Sequence, residues 1–456
     1  MINNFSLTYT IRSFFTKGHK RTLRAKKNVV ISFICKGISI LISFWIVPLT
    51  LGYVGKVEYG IWMTISAIIH WFHFFDIGLG NGLRNKVAEA IANNNTELAR
   101  TYISSAFAII SGISIILFIG FYVAAHYISW NAALNTSVVS NDELLSVVVM
   151  VFFFFCVGFI LGLVSSILQA TQRYAINDIL GLLSQILGFS GIYFLVKNTD
   201  GSLFYLCLIY GSKSAVVLFF ASIALFMGPL SSIRPGIEYI NFKKVTPLVN
   251  LGIRFFISQI FYLIVTQSSV ILVVQFFGPA DVTTFNLAVR YMTIISMAYM
   301  MVLSPFLSAF TEAYTKKEYD WIKGIIKRIN TLWLTATLAT IILVLINKTF
   351  FKFWVGDAVT IPLSLIVALA FSSILNTWGA TYSLFLNGIG KVKMQLFVVG
   401  LQALLFIPLS YLLYRLHFGL VSIVAVQVIF YSASALLMTM QYKKIINQRA
   451  TGIWYK

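Results

Sequence analysis

Long apolar runs separated by short polar segments organise the whole chain. Twelve runs approach or exceed the roughly 20 residues that a helix needs to cross a bilayer core. They are 28–51, 59–82, 101–125, 144–168, 179–196, 203–227, 248–276, 284–309, 329–346, 362–386, 394–414 and 420–441. Residues 101–141 and 358–390 hold no charged side chain, and 179–196 is the shortest run. None of the runs alternates with period two, so strands are excluded as the main element. The pattern predicts an all-α integral membrane protein with twelve transmembrane helices.

The polar segments carry the orientation signal. Lys and Arg number 25 in one alternating set (1–27, 83–100, 169–178, 228–247, 310–328, 387–393 and 442–456) and 5 in the other. Loops rich in Lys and Arg stay in the cytoplasm, so both termini are expected there. The longest connection is 20 residues, too short to fold as a catalytic domain. Residues 1–27 are polar and basic and precede a run of full span length, which does not fit a cleaved signal. Phe5, Ile11, Phe14 and Phe15 would suit a short surface helix; a basic tail without structure fits equally well.

The two halves of the chain also resemble each other. Gly55-Lys-Val-Glu58 follows the first run and Gly278-Pro-Ala-Asp281 the seventh, 223 residues later. Glu89-Ala90 and Glu312-Ala313 repeat that offset, as do Arg100 and Lys323; Trp130 and Trp354 match at 224. Leu168-Gln-Ala-Thr-Gln-Arg173 and Leu386-Asn-Gly-Ile-Gly-Lys391 match at 218. An even number of spans separates the equivalents. The repeats are therefore parallel, two six-helix lobes about a pseudo-two-fold along the membrane normal, with substrate sites expected between them. The expected divisions are a basic N-terminal segment (1–27), an N-lobe (28–227), a linker (228–247), a C-lobe (248–441) and a C-terminal tail (442–456). Gly55 and Gly278 suit tight turns. Glu58 and Asp281 then fall where an acid caps or complements a helix N-terminus.

Composition narrows the class. Of 456 residues, 59% are hydrophobic and only 11% charged, and the formal charge is +20. A soluble domain has about 25% charged residues. The basic excess is accounted for mainly by the loop bias, so nucleic acid is not expected as a partner. Cys35, Cys156 and Cys207 sit in apolar runs and read as small buried residues, with no disulfide framework or metal cluster among them.

Gly55-Lys-Val-Glu-Tyr-Gly60-Ile-Trp resembles the first external turn of the O-antigen flippases. Phe75-Asp-Ile-Gly-Leu-Gly-Asn-Gly-Leu-Arg84-Asn-Lys-Val-Ala-Glu89-Ala resembles the end of their second helix. These flippases belong to the multidrug/oligosaccharidyl-lipid/polysaccharide exporter superfamily. Phe353-Trp-Val-Gly356-Asp and Leu386-Asn-Gly-Ile-Gly-Lys391 fit the same pattern in the second half. The resemblance spans about 28–441. It implies a MATE-like, alternating-access flippase of the bacterial inner membrane. Its substrate would be an oligosaccharide linked to undecaprenyl pyrophosphate. It implies no cofactor, a coupling ion (H⁺ or Na⁺), contact with membrane lipid, and contact with other polysaccharide-assembly proteins.

Charges inside the runs are the candidate site. Burying one at a helix centre costs at least about 2.5–3.5 kcal/mol, so such charges normally face a cavity. They are Lys36, Asp76, Lys213, Arg254 and Arg290. Lys36 lies about 12 Å into its run and Lys213 about 15 Å, near the midplane. A diphosphate crossing a low-dielectric cavity needs cations: the planar fork of Arg or the point charge of Lys. Snorkelling to the interface is the ordinary alternative. His70, His73 and Asp76, spaced i, i+3, i+6, are candidates for ion coupling, with aromatic packing the competing reading. Gln185, Gln259, Gln267 and Gln275 suit either sugar hydroxyls or helix–helix hydrogen bonds. Trp354 and Tyr411 read as interface anchors. The alternatives are a cation-coupled multidrug exporter on the same fold, which is expected to have an acidic cavity, and a membrane enzyme of polysaccharide assembly, for which no catalytic constellation is present.

Overall fold

The computed structural model describes residues 20–76, 79–245, 267–303 and 306–455. Every regular element among them is helical. In chain order these are α1 (Lys20–His70), α2 (Leu79–Ala92), α3 (Thr96–His126), α4 (Asn141–Leu161), α5 (Leu163–Ala170), α6 (Tyr174–Asn198) and α7 (Leu203–Met227). They continue as α8 (Gln267–Phe277), α9 (Pro279–Leu303), α10 (Phe306–Thr315), α11 (Tyr319–Val355), α12 (Leu363–Gly388), α13 (Lys393–Arg415) and α14 (Val421–Ile446).

Among the described residues ten helices are long and apolar enough to cross a membrane. α1 is two arms joined at Gly55, whose backbone leaves the helix with φ 79°. That bend lies between the runs expected at 28–51 and 59–82. The second arm ends at His70, earlier than expected, and Trp71–Asp76 continues as a 3-10 helix. Of the run 248–276 only α8 is described. Most other helices begin and end close to the predicted runs, but α2 and α10 fold largely within the segments expected as polar connections, 83–100 and 310–328, and α11 overruns its prediction. Its 37 residues extend the run 329–346 by two or three turns at each end. Side chains such as Ile116, Leu345 and Phe353 stand mostly exposed on these helices. Water would not tolerate so much apolar surface; lipid does.

The backbone repeats at the offsets seen in the sequence. Gly55 and Gly278 both have positive φ (79° and 90°), as do Asn94 and Lys317 (56° and 59°) and Gln172 and Gly390 (57° and 72°). The buried positions repeat as well. Val87, Ala90, Ala99 and Ile103 belong to one hydrophobic cluster; Phe310, Ala313, Ile322 and Ile326, each 223 residues on, belong to the other. Ile167-Leu168 and Phe385-Leu386 extend the match at 218.

Contacts gather the chain into two compact units. One holds Met1–Gly55, Phe72–Trp130 and Val139–Ile257; the other holds Lys56–Trp71, Asn131–Val138 and Ser258–Lys456. The divisions expected at 28–227 and 248–441 follow the chain, whereas these units do not. The second arm of α1 groups with α9 because the two backbones touch. A Cβ on Gly60 would lie 1.7 Å from the carbonyl oxygen of Pro279. The hydroxyl of Thr283 donates to the Lys56 carbonyl at 2.6 Å. Lys56 and Pro279 are equivalents at offset 223, and so are Gly60 and Thr283, so each helix start touches the other through the same pair of positions. The turn 131–138 joins the same unit: Asn135 Nδ2 donates to the Val274 carbonyl (3.1 Å) and Gln275 Nε2 to that of Ala133 (2.7 Å).

Candidate functional site

The first unit holds one of the predicted cations in a defined polar setting. Lys213 is the eleventh residue of α7, at its middle, and is half-buried. α7 lies in a long apolar run whose only charge is Lys213, so the ammonium group must be satisfied by polar neighbours. Its Nζ donates to Gln185 Oε1 on α6 at 3.3 Å and lies 4.8 Å from the centre of the Tyr210 ring, one turn back on α7. The aliphatic stem runs against Gly188, where a Cβ would sit 2.8 Å from Lys213 Cδ. Gly188 is thus the space that lets the side chain lie between the two helices.

The polar chain continues from there. The Tyr210 hydroxyl shares a 3.2 Å hydrogen bond with Thr50, which is buried on the first arm of α1 and also donates to the Ile46 carbonyl. Ser184 and Ser214 join the same pair of helices beside it at 2.9 Å. Thr50, Tyr210, Lys213 and Gln185 therefore tie three helices of one unit together through polar groups set within apolar runs. Such an arrangement fixes a positive charge in place and presents hydroxyl and amide groups around it. It can hold an anion or polyol by charge-assisted hydrogen bonds, each stronger than a neutral one.

The other candidates are placed differently. Lys36 is exposed on the first arm of α1, in the same unit as Lys213. Arg290 is half-buried on α9 in the second unit, and its carbonyl accepts from the Thr293 hydroxyl at 3.1 Å. Arg254 lies outside the described residues. His70 is exposed, and its Nδ1 is 2.8 Å from the carbonyl of Ser66, within its own helix. The side chains of His73 and Asp76 lie outside the described residues. Glu58 is half-buried three residues after Gly55, and Asp281 stands in the first turn of α9. Among the glutamines, Gln185 meets a cation and Gln275 holds a loop carbonyl, while Gln259 is outside the described residues.

One expectation is corrected. Trp354 is not an interface anchor: it is 8% exposed and packs on Phe350 and Phe351, as its equivalent Trp130 is buried against Phe121. A tryptophan at a span end reads the same in sequence whether it faces headgroups or core. Tyr411 is half exposed. Sequence reasoning missed Gly188, Tyr210 and Thr50. Each is unremarked in a run of apolar residues, and only the packing of α6 on α7 and α1 reveals them. The three cysteines are free and buried.

Residues 25–311 match the family described as polysaccharide biosynthesis protein. A protein of Yersinia pseudotuberculosis named for O-antigen export is 26% identical over 376 residues, covering 81% of this chain and 84% of its own length. An O-antigen transporter by name from Salmonella typhimurium is 23% identical, covering 77% and 80%. Among solved structures, an inward-facing multidrug-resistance MATE transporter superposes with a TM-score of 0.69 at 15% identity, covering 92% of this chain and 95% of that one. That likeness shows the MATE-like fold.

Proposed function

The chain belongs to the polysaccharide biosynthesis protein family, and from that premise we propose that it is a flippase for a lipid-linked oligosaccharide. The substrate would be a surface-polysaccharide repeat unit carried on undecaprenyl pyrophosphate, moved across the bacterial inner membrane by alternating access. The carrying observation is Lys213, a cation fixed at mid-span by Gln185, Tyr210 and the gap at Gly188. Relatives of 23–26% identity that are named for O-antigen export and transport support the reading. So does the charge of the runs, which hold four bases against one acid. A pump for cationic drugs calls for the opposite balance.

In this reading Lys213 meets the diphosphate transiently. A point charge on a flexible stem gains Coulomb energy without locking a geometry, so release on the far side remains fast. Gln185 and Tyr210 orient the ammonium group. Lys36 adds a second cation on the same unit. The ion gradient that would drive the cycle is assigned to H⁺ or Na⁺ through His70, His73 and Asp76, as an extension of the same proposal.

The test is an export-complementation assay in a strain lacking its own flippase. Lys213→Ala is expected to reduce surface polysaccharide at least tenfold at equal membrane abundance, and Lys213→Arg to retain part of it. Full export by the Lys36→Ala/Lys213→Ala double variant would sink the cationic mechanism.

A further inference from the structure

The repeated halves differ at one corresponding surface, and the difference points to a ligand. α3 starts at Thr96, two residues after the positive-φ Asn94; α11 starts at Tyr319, two residues after the positive-φ Lys317. Both helices bury the same face, Ala99, Ile103 and Ala106 in one and Ile322, Ile326 and Ile329 in the other. Their outer faces at the same register hold Arg100, Ser104 and Ser105 against Lys323, Lys327 and Arg328.

On α3 that face is covered. The segment after α7 folds into three short 3-10 turns, Ser231–Ile233, Ile237–Tyr239 and Phe242–Val245, all packed on α3. Arg100 stacks on the Tyr239 ring at 3.8 Å, donates to its hydroxyl (2.7 Å) and to the Arg234 carbonyl (3.1 Å), and lies 3.9 Å from Glu238. Ser104 and Ser105 accept from the backbone amides of Gly236 (3.1 Å) and Asn241 (2.8 Å). Both serines are buried as a result.

On α11 the same face is open. Lys323, Lys327 and Arg328 are all exposed. Lys323 pairs with Asp320 at 3.1 Å, but Asp320 is 98% exposed, so solvent competes for it. Among the described residues neither Lys327 nor Arg328 enters an ion pair. Lys316 in the preceding turn is matched with Glu312; Lys317 and Glu318 are exposed beside it. The C-terminal turn Gly452–Tyr455 docks elsewhere, with the Trp454 carbonyl accepting from Gln441 and Tyr455 lying under Lys391. Trp321, on the same stretch of helix, is 40% exposed and meets the Phe310 ring edge-on. The apolar run begins immediately after Arg328, at residue 329.

We propose that Lys323, Lys327 and Arg328, with Trp321 beside them, form a binding site for the phosphate headgroups of anionic phospholipids. Charge complementarity fixes the occupant. Three cations within about two turns of the start of an apolar run sit at headgroup depth, where basic pockets at helix ends take acidic lipid. An amphipathic indole suits the same depth. The segment that covers α3 is neutral where it meets the serines, and it could not neutralise Lys327 or Arg328.

The experiment is native mass spectrometry of the full purified chain with mixtures of phosphatidylcholine and either phosphatidylglycerol or cardiolipin. The wild type is expected to retain the anionic lipids in preference to phosphatidylcholine. Lys327→Gln/Arg328→Gln is expected to weaken that retention about 30-fold, the loss for two interfacial cations. Lys327→Arg/Arg328→Lys keeps the charge and is expected to keep the lipid, which separates lost binding from lost folding. Lys348→Gln/Lys352→Gln removes the same charge from the other end of α11 and is expected to change nothing. Equal retention by wild type and the first double variant overturns the proposal, and so does an equal loss in the control. An acidic segment of another protein as occupant would appear as a wild type with no preference for anionic lipid, which also overturns it.

Discussion

The beginnings of α3 and α11 share a positive-φ residue, a helix start and a buried face, yet they present opposite outer surfaces. One is clasped by a strap through Arg100, Ser104 and Ser105; the other leaves Lys323, Lys327 and Arg328 to solvent. Packing explains why the inner faces agree. Ile103 and Ile326 each fill a close-packed cluster, where a change of even one methylene is felt. The outer faces have no such constraint. One copy could acquire hydroxyls that accept backbone amides while the other kept or gained charge. Duplication thus preserves the scaffold and releases the surface.

The largest expected effect comes where two backbones touch. At the crossing of the second arm of α1 with α9, Gly60 has no room for a Cβ, while its equivalent Thr283 carries a side chain that donates to Lys56. Gly60→Val is expected to cost more than about 4 kcal/mol, seen as loss of monodisperse protein on size-exclusion chromatography. Thr283→Val at the equivalent position removes one hydrogen bond and is expected to cost about 1 kcal/mol. Equal behaviour of the two variants would break the claim that backbone contact, not polarity, makes the crossing.

A middle-sized effect separates the strap from the bare face. Arg100→Ala removes charge-assisted bonds worth about 2 kcal/mol and is expected to expose 231–245 to limited proteolysis. Lys323→Ala is expected to leave the cleavage pattern unchanged. The smallest effect concerns the surface pair before α11. Lys316 holds the Glu312 carboxyl below its ordinary value. The sign is that of a depressed carboxylate: any stability it lends is present above the unfolded pKa and is lost as pH falls through the folded one. Both side chains are exposed, where screening leaves little. Glu312→Gln is expected to give no resolvable change in Tm at pH 7.

Much of the fold was legible from the length of the apolar runs alone, because a bilayer demands uninterrupted apolar length and internally satisfied backbone. The ends of α6, α7, α12 and α13 fall within a few residues of the predicted runs. α1 was less legible: Gly55 marked its bend, but nothing in Ile69-His70-Trp71 announced that the α-helix would give way to a 3-10 helix there. In the site, Lys213 was visible because a charge in an apolar run stands out. Thr50, Tyr210 and Gly188 were not, since hydroxyls and glycines are ordinary in such helices and acquire meaning only from what lies opposite them.

What the sequence determined by itself is the all-helical membrane class, most of the long helices, the internal repeat and the presence of cations inside the runs. These follow from local composition and from offsets, which need no knowledge of which helix packs on which. The tertiary structure decided the rest. It placed Lys213 against Gln185 and Gly188, pressed Gly60 onto Pro279, buried Ser104 and Ser105 under a strap, and left Lys327 and Arg328 open. The physical reason is that a side chain's role depends on its neighbours across helices. Those neighbours lie from 25 residues away, as for Lys213 and Gly188, to 227, as for Lys56 and Thr283.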